Sequence, residues 1–74
     1  SDGSGGVLAI TSHFYEFVEE DALDQPNPKF LLAHQLRKGG RYFIYFTTGA
    51  GLYRYNINDL VEVVDFEGNA PIIR

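Results

Sequence analysis

Five consecutive residues, Tyr42-Phe43-Ile44-Tyr45-Phe46, are apolar or aromatic on both alternation sets: Tyr42, Ile44 and Phe46 on one side, Phe43 and Tyr45 on the other. A strand with two apolar faces is covered on both. The run therefore predicts a strand inside a sheet, and a sheet central to something larger than 74 residues. Lys38-Gly39-Gly40-Arg41 marks a turn before it. Thr47-Thr48-Gly49-Ala50-Gly51 can reverse the chain after it, because its two glycines supply the φ > 0 positions that tight turns require.

The same alternation test places the other elements. Val7 to Thr11 and His13 to Val18 read as strands; in the second, Phe14 and Val18 share a face with Glu16 between them, and Tyr15 and Phe17 take the other. Leu52 to Tyr55 returns from the glycine turn. Asn56-Ile57-Asn58-Asp59 reads as a second turn, since Asn tolerates the left-handed region better than most residues. Leu60 to Phe66 then alternates Leu60, Glu62, Val64 and Phe66 against Val61, Val63 and Asp65, and after a Gly68-Asn69 turn Ala70 to Ile73 is the last strand. Glu19 to Pro28 is acidic, and Pro26 and Pro28 each fix φ and remove an amide donor, which predicts an exposed loop. Phe30 to Leu36 fits a helix of under three turns, a strand or an irregular edge equally well. Residues 1–6 read as a flexible linker or loop end, and residues 7–74 as one β-rich segment. The expected fold is mainly β: an antiparallel sheet or partial β-barrel with short turns.

A chain of this length hides only about 60% of the surface that its unfolded form exposes. It has no cysteine, so neither disulfides nor a thiolate zinc site compensates, and apolar burial must hold it together. An aromatic share of 15% argues against disorder. A formal charge of -4 with six scattered basic residues excludes the usual phosphate-tracking surface, so no nucleic-acid partner is expected. No apolar run approaches the roughly eighteen residues of a spanning helix, and SDGSGG has neither the basic nor the apolar region of a signal peptide. No membrane partner and a cytoplasmic location are expected. The chain has no methionine, even at position 1, and Pro71-Ile72-Ile73-Arg74 stops inside a strand pattern, which predicts an internal piece of a longer protein.

The residues alone assemble no catalytic set: no cysteine nucleophile, no Ser-His-carboxylate arrangement, no HExxH, and no glycine-rich loop with a phosphate-binding lysine. His13 and His34 have no second ligand at a spacing that closes a metal site, so none is expected. Asp59 remains. Set just after a strand at the rim of a sheet, its carboxylate can accept two hydrogen bonds, which suits a vicinal diol such as a ribose. By residue type alone, capping a turn or a backbone amide is the favoured use for it.

Read in order, FYEFV at 14–18, FTTGAGLYRYNINDLVEVVDF at 46–66 and NAP at 69–71 resemble the auxin-responsive Gretchen Hagen family of acyl-acid amido synthetases and its bacterial relatives. There, phrases like YFEFLP, TT-x-AGLYRYRVGD-VV and NxAP follow one another at similar spacing. The resemblance implies that residues 7–74 are a segment of the large N-terminal adenylating domain of an α+β adenylate-forming enzyme. Such enzymes use ATP and magnesium to convert a carboxylic acid to its acyl-adenylate, then pass the acyl group to an amine or amino acid. It further implies that Asp59 binds the ribose hydroxyls of ATP, that Tyr53, Arg54 and Tyr55 are scaffold leading to it, and that Glu16 lies near the magnesium and phosphates. Two departures stand out: Asn56 where the family often has Arg, and Asn58 where it has Gly. Asn can adopt the backbone that a glycine turn needs, at some strain.

The family's phosphate loop and second adenylate motif lie upstream of the stretch matched here, and its hinge and mobile domain downstream. Acyl activation needs phosphate positioning and charge stabilisation as well as a ribose anchor. The chain alone is therefore expected to be inactive and to bind no nucleotide tightly, with the rest of the parent polypeptide as its partner and the small acid and amine as the parent's substrates. The alternative is a free-standing β module that binds a peptide or protein through exposed aromatics.

Overall fold

The computed structural model describes residues 8–9 and 14–74. The expected linker at residues 1–6, His13, and Val7, Ile10 and Thr11 of the first strand lie outside the described residues. Among the described residues there are five strands: β1 (Leu8–Ala9), β2 (Tyr15–Glu19), β3 (Arg41–Thr48), β4 (Tyr53–Glu67) and β5 (Ala70–Ile73). They form one antiparallel sheet in the order β1-β5-β4-β3-β2. The described sheet is open, with β1 and β2 at opposite ends, so of the two expected forms the sheet is the one observed.

The aromatic run lies in β3, between β2 and β4. One face carries the core. Phe17, Tyr42, Ile44, Val63 and Ile73 are buried there with Leu36, which arrives from the segment crossing beneath the sheet. That segment, ambiguous in sequence, is neither a full helix nor a strand. Leu31 makes a single bridge to Phe17, through two backbone hydrogen bonds of 2.8 and 2.7 Å, and Ala33–Gln35 is one 3-10 turn. Pro28 upstream and the glycines downstream leave no room for more. On the opposite face Val18 is fully buried, and Phe30 meets Tyr45 edge-on with ring centroids 4.9 Å apart. Both faces of β3 are thus covered over its first half. Of the acidic stretch, Glu19 ends β2, Glu20–Ala22 is a 3-10 turn, and the rest is a loop that is exposed except at the half-buried Leu23 and Pro28.

Gly40 is required by packing. A Cβ there would lie 2.5 Å from the Tyr42 hydroxyl oxygen, and that oxygen accepts the Arg37 amide at 3.0 Å. The buried ring therefore lies where any other side chain would be.

Two expectations about β4 are corrected. The turn expected at Asn56 to Asp59 does not break the strand, which runs unbroken from Tyr53 to Glu67. Strict alternation past Leu60 also fails. The register against β5 shifts between Val63 and Asp65, which turns Phe66 onto the core face that Val61 and Val63 already occupy. A bulge inverts the parity of every later residue, and composition does not reveal it. Among the described residues no helix is long and apolar enough to cross a membrane.

Candidate functional site

The turn chemistry at Asn56 to Asp59 is real, but it is spent on a bulge. Phe43 pairs with Leu60 and Tyr45 with Asn56, so Ile57, Asn58 and Asp59 together oppose Ile44 alone. Asn58 is the sole described non-glycine residue with positive φ, at 67°. Its amide donates to Asn56 Oδ1 at 2.8 Å, a side chain folded onto the backbone two residues on. Asn58 takes up this left-handed backbone at the cost that it carries for a residue with a Cβ.

Asp59 therefore stands within β4, at mid-strand, and not at the sheet rim expected from sequence. Its side chain is exposed, and among the described residues nothing donates a hydrogen bond to it. The capping use that residue type favours for it falls to Asn56 instead. The bulge turns Asp59 out of the pairing ladder while holding its backbone between two paired stretches.

The second expected residue, Glu16, is held tightly. Glu16 Oε1 accepts the Thr47 hydroxyl at 2.6 Å and the Arg54 Nε–H at 2.7 Å, and the side chain is only 14% exposed. The hydrogen-bonded Arg54 guanidinium holds this carboxyl below its ordinary value against the opposing pull of partial burial, with the Thr47 hydroxyl and the Arg54 charge adding to the effect. Glu16 is therefore not the solvent-facing strand charge that simple alternation allows. Arg54 also lies over the Phe30 ring, 4.3 Å from its centroid.

A cleft of about 330 Å³ opens beside this group, lined by Phe14, Leu32, Thr48 and the Gly49 and Gly51 turn as well as by Glu16, Thr47 and Arg54. Gly49 and Gly51 have φ of 60° and 89°, as the hairpin reading requires. Glu16 and Asp59 share the sheet but not a contact. Glu16 pairs with Tyr45, which pairs with Asn56, and Asp59 lies beyond in the bulge. Among the described residues no group of three or more His, Cys, Asp or Glu could hold a metal ion. Sequence reasoning missed Thr47 and Phe30 as partners of this group. The available signal was an acidic residue and a basic one on strands that a central β3 would bring within reach, Glu16 and Arg54.

Residues 6–74 match the GH3 family central domain. The fold is similar to the solved structure "AtGH3.15 acyl acid amido synthetase in complex with 2,4-DB", with a TM-score of 0.59 and 30% identity over 81% of this chain. The chain spans 10% of the length of that protein. With nearly its whole length matching the family's central domain, the chain belongs to the GH3, or Gretchen Hagen, family.

Proposed function

We propose that this chain supplies the ribose-binding part of the nucleotide site in an ATP-dependent acyl acid amido synthetase. The observation that carries the reading is the bulge within β4: three residues opposite one, with Asp59 exposed and its carboxylate without a hydrogen-bond donor among the described residues. A carboxylate that already caps its own turn is a poor acceptor for a ligand. One whose turn is closed by a neighbour keeps its oxygens for the two hydroxyls of a ribose.

The residues fit ATP with magnesium in a limited way. Magnesium keeps several waters and is held by one or two carboxylates together with substrate phosphates, so a cage of protein ligands is not required. When bound, ATP supplies the adenylyl group that activates the acid. Asp59 orients the ribose, and the rest of the parent supplies phosphate positioning. Glu16 enters this reading on the magnesium and phosphate side, as an ionised carboxylate whose Oε1 is already occupied by Thr47 and Arg54.

In the full-length enzyme, Asp59→Ala is expected to raise KM for ATP by about tenfold or more, the loss of a charged group's hydrogen bonds to a ligand. Unchanged ATP affinity and activity in that variant would remove the assignment.

A second reading rests on Leu52, Tyr53 and Tyr55, which are 81%, 60% and 59% exposed. Large apolar side chains exposed close together in sequence suit an interaction face. If the chain is a binding module, Tyr53→Ser with Tyr55→Ser abolishes capture of a peptide or protein partner, and Asp59→Ala leaves that capture intact.

A further inference from the structure

We infer that Glu16 is a positioning residue: acting through Arg54, it fixes the part of β4 that enters the bulge, and thereby the place where the Asp59 carboxylate stands. This rests on Asp59 as the ribose anchor. A surface arginine ordinarily keeps much of its rotamer freedom, yet Arg54 is held from two sides. Its Nε–H is bonded to Glu16 and its guanidinium lies over Phe30. Phe30 is itself fixed edge-on by Tyr45, at an interplanar angle of 85°.

The rows of the sheet connect this clamp to the bulge. Glu16, Tyr45 and Asn56 are cross-strand partners in one row, and Thr47 and Arg54 form the neighbouring pair. Cross-strand partners share a face, as do residues two apart along a strand. Arg54 and Asn56 therefore lie on the clamped face of β4. Asn56 is the last regularly paired residue before the bulge, and its Oδ1 receives the Asn58 amide.

Among the described residues, the other face offers ring contacts in place of such a clamp. Tyr53 and Tyr55 are exposed there, and Phe46, although it meets Tyr15 at 5.7 Å and Phe14 at 6.2 Å between centroids, is itself 36% exposed. The hairpin arm is thus steered mainly from the side where Glu16 ties β2 to both of its strands.

The test is a double-mutant cycle in the full-length enzyme, read as the calorimetric Kd for ATP with magnesium and accompanied by thermal midpoints. Glu16→Ala is expected to weaken ATP about tenfold, the scale on which small misplacements act. Glu16→Gln keeps an acceptor for Thr47 and Arg54 and is expected to recover most of that loss. In an Asp59→Ala background Glu16→Ala is expected to add less than about twofold, because residues acting as one unit are non-additive. Additive losses would overturn the inference and leave Asp59 as the anchor. A Gln variant as weak as the Ala variant, with an unchanged thermal midpoint, would overturn it by showing that charge and not geometry matters. An Asp59→Ala enzyme with unaltered ATP affinity would overturn the ribose reading and this inference with it.

Discussion

The two halves of β4 differ as much as two separate elements would. From Leu60 to Glu67 the strand lies over the core, with Val63 fully buried, Val61 and Phe66 packed beside it, and β5 paired along its edge. From Tyr53 to Asp59 every residue except Asn56 is exposed, and the register against β3 is broken by a three-residue bulge. The first half is held by burial. The second is held by its pairing with β3 from Tyr53 to Asn56 and by polar contacts at Glu16 and Asn56. On the proposed reading of Asp59, stability and ligand-facing chemistry are separated along a single strand, as expected where sites are drawn from the less stable parts of a fold.

Truncating one large side chain in each half gives the widest contrast. Phe17→Ala, at the fully buried centre of the core, is expected to cost about 3–5 kcal/mol and to leave so small a sheet largely unfolded. Tyr53→Ala is expected to change stability by no more than about 0.5 kcal/mol. Denaturant unfolding followed by circular dichroism checks both, and equal costs would erase the distinction between the halves.

The bulge offers a sharper probe. Asn58→Val places a β-branched side chain at a φ of 67° and is expected to destabilise by about 1–2 kcal/mol, whereas Asn58→Gly is expected to be close to neutral. If the two variants have the same midpoint, the left-handed residue is not what shapes the bulge.

A smaller effect comes from Glu16 and pH. Its folded pKa lies below the ordinary 4.5 because of Arg54, so the pair's stabilisation is fully present above that ordinary value and is lost as pH falls through the depressed one. Arg54 is 38% exposed, and solvent screening limits the contribution to about 1 kcal/mol or less. The advantage of the wild type over Glu16→Gln is therefore expected to be constant near neutrality and to fade only in acid. Measured unfolding midpoints across that range check it; an advantage that grows in acid would contradict the assigned pair.

Much of this was legible in the residues. The two-sided run at Tyr42 to Phe46 locates the central strand, and the glycines at 49 and 51 and at 68 locate both hairpin reversals. The left-handed Asn58 followed from residue type and the family's glycine. Hidden from the sequence were the two bulges, because a register shift depends on how neighbouring strands fit and not on any one residue's propensity. That is why simple alternation puts Asp59 at a strand end and Phe66 on the face opposite Val63. The tie between Glu16 and Arg54 joins residues 38 apart, and only the pairing of β2, β3 and β4 brings them together.

The most direct test of the central claim compares ATP with 2′,3′-dideoxy-ATP in the full-length enzyme, before and after Asp59→Ala, by calorimetry. If Asp59 holds the ribose hydroxyls, the wild type binds the dideoxy nucleotide at least about tenfold more weakly than ATP, and the Asp59→Ala enzyme binds the two within about twofold of each other. A variant that still discriminates between them as strongly as the wild type would contradict the account.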